Sequence, residues 1–195
     1  MSSTKMTAFG AAVVSAMVIG ASAATFQVDP AHTTVAFSIK HLGISEVHGA
    51  FTNFTGAIEY DAAKPEATKA TGTILVPSID TGNKMRDDHL RTPEFFDAAK
   101  FPEIKYEATS AEKVDGNWVV KGKLTMHGVT KEIAAKGELS GPVQDPWGKT
   151  RIGIAATATL DRQDYGVSYN KTLDKGGLMV ANEVKIRLDI EAVQQ

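Results

Sequence analysis

The chain has 195 residues, 43 % of them hydrophobic, a net charge of −2 and no cysteine. A near-neutral, slightly acidic balance argues against a nucleic-acid partner and against electrostatic docking on anionic lipid, both of which favour basic patches. Without cysteine there are no disulfides, no thiol redox chemistry and no cysteine-based zinc site, so stability must come from burial and hydrogen bonding.

Residues 1–23 read as an export signal. Lys5 supplies a positive start, residues 8–20 a short apolar run, and Ala21-Ser22-Ala23 a small-x-small cleavage site, with the cut expected before Ala24. The apolar run is shorter than the about 20 residues of an ordinary transmembrane helix; an uncleaved anchor is the competing reading. The expected organisation is a signal peptide over 1–23 and one domain over 24–195. Once Lys5 is removed, 20 of the 21 basic residues face 23 acidic ones.

Beyond the signal the dominant pattern is period-two alternation, which predicts strands with one buried face. A weak strand is expected over 26–29, followed by a strong one with Val35, Phe37, Ile39 and His41 on one face. Residues 51–60 form a weaker strand whose parity changes between Phe51 and Phe54, which predicts a β-bulge near Asn53. Residues 72–79 form another. Residues 80–100 break the rhythm and predict a helical insert. A short turn of helix over 83–91 is expected to turn Met85, His89 and Leu90 inward. Thr92-Pro93-Glu94 looks like a second helix start, with an N-cap and proline at the first helical position.

Five further strands follow. Their expected inner faces are Ile104, Tyr106 and Ala108; Trp118, Val120, Gly122, Leu124 and Met126; Ile133, Ala135, Gly137 and Leu139; Ile152, Ile154, Ala156, Ala158 and Leu160; and Val184, Ile186, Leu188 and Ile190. Asp115-Gly116, Gly128 and residues 142–148 read as turns. Antiparallel strands with one apolar and one polar face predict a mainly β fold, either a sandwich or an up-and-down barrel.

Many of the inward positions are small: Ala108, Gly122, Ala135, Gly137, Ala156 and Ala158. In a barrel of about eight strands, small inward residues leave room for one ligand. The walls of such a space would include Phe37, Ile39, Phe51, Phe54, Tyr106, Leu124 and Met126, with Leu90, Phe95 and Phe96 from the insert. An apolar cavity with few polar groups suits an extended hydrocarbon. In the rival reading, small residues on one sheet face bulky ones on the other and the core is filled. The pattern favours neither.

Candidate reactive groups are sparse. The five histidines lack the i, i+4 spacing of a helical zinc motif, and no metal site is expected. His32 and His127 are expected to hydrogen-bond turns, and His41 or His89 to lie near a cavity mouth. No G-x-S-x-G elbow and no cysteine nucleophile appears, so no catalytic residues are expected. Arg86 and Arg91 could each receive a polar head group. The alternative, favoured for Arg86, is a local ion-pair net with Asp87 and Asp88. Arg91 and Asp88 are spaced to pair on one helical face. Arg162 and Asp164 read as a structural pair at a strand end.

Taken together, several motifs resemble the YceI family. Asp29-Pro30-Ala31-His32-Thr33 resembles the family's opening, and residues 37–43 with Val47, Gly49 and Phe51 its first long hairpin. Ser78-Ile79-Asp80-Thr81 and residues 86–97 resemble its central insert. Residues 124–131 and Arg162-Gln163-Asp164-Tyr165-Gly166 complete the pattern, which runs from about Phe26 to Glu191. The resemblance implies an antiparallel lipocalin-like β-barrel of about eight strands with a short helical insert, in a bacterial periplasm. It implies a polyisoprenoid or related long-chain amphiphile as partner, such as an isoprenoid quinone, a polyprenyl pyrophosphate or a fatty-acid amide. No cofactor, metal, nucleic acid or enzyme activity is expected. The lipid would thread the apolar walls, with its head near a mouth formed by His41, His89 and Arg91. A stress-related scaffold with a filled barrel is the main alternative, and an enzyme acting on such a lipid a lesser one. Transient contact with a membrane or membrane protein, and a monomeric or dimeric state, are left open.

Overall fold

The structure is a computed structural model that describes residues 23–172 and 177–195; the expected signal peptide lies almost wholly outside them. The chain forms β1 (Ala24–Val28), β2 (Thr34–His41), β3 (Ser45–Phe51), β4 (Phe54–Tyr60), β5 (Lys69–Leu75) and β6 (Ile79–Asp80). The helix α1 (Lys84–Leu90) follows, then β7 (Glu103–Val114), β8 (Asn117–Met126), β9 (Val129–Gln144), β10 (Thr150–Asp161) and β11 (Val180–Gln194). The first six strands combine in pairs. β1 and β2 form one stave broken by a 3-10 turn over Pro30–His32, and β5 and β6 another broken by a 3-10 turn over Val76–Ser78. β3 and β4 make the stave between them, since β3 pairs with β2 and β6, and β4 with β1 and β5. Every stave then neighbours the next in sequence, all antiparallel.

The ring closes on β11. One edge of β11 pairs with β10 from Asp161↔Glu183 to Arg151↔Val193. The other pairs first with β2, from Val180↔His41 to Asp189↔Thr34, and then with β1, ending at Phe26↔Gln194. The result is the closed antiparallel barrel of eight staves that the family resemblance implied, where the alternation left a sandwich equally open, and full closure leaves no free sheet edge in the ring. The apolar parity points into the lumen and the charged parity into solvent, the reverse of a transmembrane barrel, whose outer face is apolar.

Several local expectations change. The parity switch near Asn53 is a corner rather than a bulge. β3 stops at Phe51 and β4 restarts at Phe54, and the Thr52-Asn53 link is pinned to the 3-10 turn by Thr52 N to Ser78 O (3.2 Å) and Asn53 N to Ser78 Oγ (3.1 Å). The expected short helix forms as α1, and Asn83 caps it, its side chain accepting from Arg86 N. The second helix at Thr92 does not form. Residues 92–101 run through consecutive turns, with Phe95 N and Asp97 N both donating to Thr92 O and Phe101 N to Asp97 O. Met85, expected inside, is 81 % exposed. Pro142, expected in a turn, lies within β9 at an irregularity opposite Arg151 and Gly153, and the turn is confined to 145–149.

Two apolar clusters close off opposite ends of the lumen. Residues 42–44, the insert, the turn at 127–128 and the segment after β10 gather at one end, here the mouth. The hairpins at 61–68, 115–116 and 145–149 gather at the other, the base. Beneath the insert, Phe51, Val76, Ile79, Ala98, Ile104, Leu124, Met126 and Tyr165 pack together. At the base Phe26, Ile58, Ile152 and Ala192 do so, and none of these four is more than 3 % exposed.

Candidate functional site

Between the two clusters lies a cavity of about 510 Å³, within the usual range of small-molecule sites. Phe37 and Ile39 project into it from β2, Phe51 from β3 and Phe54 from β4. Tyr106 lines it from β7, Leu124 and Met126 from β8, and Ala156 and Ala158 from β10. Leu90 on α1, with Phe95 and Phe96 from the turns after it, covers part of the mouth. All the residues read from the sequence as apolar walls therefore share one lumen. Alternation explains this: successive inward residues of adjacent antiparallel staves face each other, as with Tyr106↔Leu124, Gly137↔Ala156 and Ala158↔Ile186.

The small residues divide into two kinds. Ala108, Ala135, Ala156 and Ala158 line open space, whereas a Cβ on Gly137 would stand 2.1 Å from Ala155 O, so glycine there serves the close approach of β10. Gly122 does not line open space either. Its missing side chain is filled by the Tyr106 ring, which would stand 2.5 Å from a Cβ there. Gly49 does the same for Phe37, whose ring would be 2.4 Å away. At these two positions glycine lets an aromatic ring lie against the sheet instead of projecting across the lumen. Burial raises the pKa of the Tyr106 phenol.

Polar groups collect at the mouth. His41 and His89 line the cavity there. His89 Nε2 hydrogen-bonds Glu94, and its ring stands edge-on to Phe95 and Tyr169, with centroids 5.0 and 5.2 Å away. Arg86 also lines the mouth. It forms no ion-pair net with Asp87 or Asp88; its Nε donates to Thr81 Oγ1 and its Nη2 to Thr81 O, both at 2.7 Å. Buried Asp87 instead accepts from the Thr81 amide at 2.9 Å and from its hydroxyl. Arg91, expected at the mouth, is turned away from the lumen. Its guanidinium donates to Pro77 O (2.9 Å), Ile79 O (2.8 Å) and Asp88 Oδ1 (3.0 Å). It thereby ties the insert to the 3-10 turn and β6.

Arg162 lines the cavity too, at 4 % exposure. The pairing with Asp164 read from the sequence is absent. Asp164 meets Lys131 at 2.8 Å, and Arg162 donates to backbone carbonyls of residues 167, 180 and 181. Tyr169 and Trp118 are lining residues that sequence reading missed. Tyr169 lies in an irregular segment with no period to read, whereas Trp118 stood on a correctly identified inward face.

Among the described residues, no serine, cysteine, aspartate or lysine lines the cavity. Its one acidic lining residue, Glu138, sits on the outward parity of β9. His127 Nδ1 donates to Tyr165 O at 3.1 Å, and His32 Nδ1 to Asp29 at 2.9 Å, so both serve turns. Asp29, His32 and Glu191 bring ligand-type atoms within 4.8 Å of one another at the base. The Arg151 guanidinium already occupies that space, with Nη1 at 2.9 Å from Asp29 and 2.6 Å from Glu191.

The fold and lumen together define a closed eight-stave antiparallel barrel around an apolar cavity. The chain belongs to the YceI-like domain family, whose sequence profile matches residues 26–192. A UPF0312 protein of Shewanella baltica (strain OS185) is 36 % identical over 189 residues, 95 % of each chain. Among solved structures, BcnA of Burkholderia cenocepacia is similar, with a TM-score of 0.74 and 25 % identity over 84 % of this chain and 98 % of that one. The Campylobacter jejuni YCEI protein has a TM-score of 0.68 and 31 % identity, covering 80 % and 90 %. A polyisoprenoid-binding domain from Saccharophagus degradans shares the fold at a TM-score of 0.65 and 15 % identity, covering 89 % and 99 %.

Proposed function

We propose that the protein binds one long-chain lipid in the barrel, a polyisoprenoid or related amphiphile, and sequesters or carries it without chemical change. The observation that carries this reading is the cavity itself: about 510 Å³, walled by aliphatic and aromatic side chains and kept open by Ala108, Ala135, Ala156 and Ala158. Each methylene moved from water into such a lumen contributes about 0.8 kcal/mol, so affinity grows with chain length. A site without a positioned nucleophile and base is suited to holding a ligand and not to transforming it. The polyisoprenoid-binding description of the Saccharophagus degradans domain, on the same fold, supports this choice of ligand class.

We further propose that the chain is exported through residues 1–23 and acts in the periplasm, where a carrier would shield a water-insoluble tail between membranes. Native mass spectrometry of protein purified from the periplasmic fraction tests both proposals. A mature N-terminus at Ala24 and a co-purifying hydrophobic molecule are the expected results. A ligand-free protein that also fails to take up isoprenoids added in detergent would favour a scaffold. Recovery of intact Met1 on membrane-bound material would overturn the export proposal.

A further inference from the structure

We infer that the cavity mouth is built to receive an oxyanion, so that the lipid it fits carries a phosphate or carboxylate head, and that Arg162 is the residue that recognises it. The inference rests on the lipid-binding reading above. It begins with a charge that makes no ion pair among the described residues. Arg162 Nη1 donates to Val167 O at 2.6 Å, Nε to Ala181 O at 2.9 Å and Nη2 to Val180 O at 3.3 Å. These carbonyls satisfy hydrogen-bond direction but carry no net charge. Among the described residues no carboxylate pairs with the guanidinium. Asp164 is turned to Lys131, and Asp161 accepts from Gln163 N at 2.8 Å. A buried cation without a paired anion is costly, and burial lowers the Arg162 pKa, the nearby Asp161 charge offsetting only part of that.

The guanidinium is not fully used by its backbone contacts. Each terminal nitrogen carries two N–H groups, and each makes one hydrogen bond here. An edge therefore remains for a ligand at a residue that already lines the lumen.

The surroundings carry the same sign. Arg86 lines the same cavity and is held by Thr81, with no carboxylate paired to it among the described residues. Glu94 is engaged by His89, and Asp88 by Lys84 and Arg91. A guanidinium fork matches the paired oxygens of a phosphate or carboxylate. A neutral quinone, alcohol or amide of the same tail would leave the charge uncompensated.

The test uses delipidated protein and two probes with one tail, geranylgeraniol and geranylgeranyl monophosphate, with inorganic phosphate as a third. The expected result is a dissociation constant at least about tenfold lower for the phosphate than for the alcohol, the scale of one charge-assisted contact. That ratio should shrink as salt rises. Arg162→Lys keeps the charge but loses the fork, and should reduce the ratio most. Arg86→Gln, at an exposed position, should reduce it less, and gives a variant whose folding is not at stake if Arg162→Lys melts early. Inorganic phosphate should neither bind measurably nor displace the tailed probe. Equal affinities for the two tailed probes would overturn the inference and leave the lipid-binding reading standing. Failure of both to bind would overturn both. Displacement of the tailed phosphate by inorganic phosphate would assign the site to a free anion and overturn the lipid-head assignment.

Discussion

Arg151 at the base and Arg162 at the mouth occupy comparable places, each near the end of a strand and each reaching several acceptors. Their partners differ in kind. Arg151 meets three carboxylates: Asp145 at 2.7 Å, Asp29 at 2.9 Å and Glu191 at 2.6 Å. These raise its pKa, and together they join β1, β10, β11 and the turn at 145–149. Among the described residues Arg162 meets only carbonyls. Arg151 stands at the base, where the four nearly solvent-free side chains of the base cluster pack, and Arg162 lines the lumen. The arginine at the base is compensated in charge; the one at the mouth is not. One end therefore behaves as structure, and the other keeps unsatisfied capacity for a ligand.

This contrast can be broken at either end. The largest expected effect is at the base. Phe26→Ala removes a ring at 2 % exposure and should cost about 3–5 kcal/mol in chemical denaturation. The ligand ratio proposed for the mouth should not change. If Phe26→Ala altered head-group selectivity as strongly as stability, the two ends would not be separable. The next effect lies in the lumen. Ala156→Phe should lower lipid affinity by more than about tenfold with little loss of melting temperature, because the ring enters open space. In a filled core the same change would instead overpack, at about 1–3 kcal/mol. Lipid content and melting temperature measured on the same samples separate these outcomes.

A smaller effect is expected for Arg91→Ala. Losing its bonds to the Pro77 and Ile79 carbonyls should loosen the insert by about 1–2 kcal/mol. Binding of the alcohol and phosphate probes should weaken alike, since Arg91 points away from the cavity. A selective loss of the phosphate probe would place the head-group contact on the insert. The smallest effect concerns acid. The hydrogen bond from His32, and then that from Arg151, lower the Asp29 carboxyl from 3.8 to about 2. A carboxyl depressed on folding stabilises the protein above its unfolded pKa and loses that contribution as pH falls through the folded one. The melting temperature should therefore drop by a few degrees between about pH 4 and pH 2, and Asp29→Asn should flatten that portion of the curve. An unchanged acid limb in the variant would show that the base ion pairs contribute nothing measurable.

The inward face was legible in the sequence because it depends on a strictly local rule, although the pattern left open whether that face enclosed space or a filled core. Once Phe37 and Ile39, or Ala156 and Ala158, are recognised as alternate residues of a strand, their common face follows. What escaped depends on partners far along the chain. Thr52-Asn53 becomes a corner because β3 and β4 pair with different strands and Ser78 ties the link. Gly122 looks like space until the Tyr106 ring from the neighbouring strand is seen to fill it. Arg162 looks paired with Asp164 until β11 brings the Val180 and Ala181 carbonyls to it. In the insert, local signals competed. The Thr92-Pro93 helix start lost to a turn in which Thr92 O takes both the Phe95 and Asp97 amides.

The pairing of the first stave with the last also sets the order in which the molecule can come into being. Phe26 lies opposite Gln194, and Thr34 opposite Asp189. A ribosome delivers β11 after every other strand, so no partial chain can shut the ring. Until then β10 and the β1–β2 stave present bare edges that invite pairing with other chains. Contacts between the two ends of a chain also make for slow folding. Chains that end before Val180 are therefore expected to be protease-sensitive and without lipid, since the container does not exist until its final wall arrives.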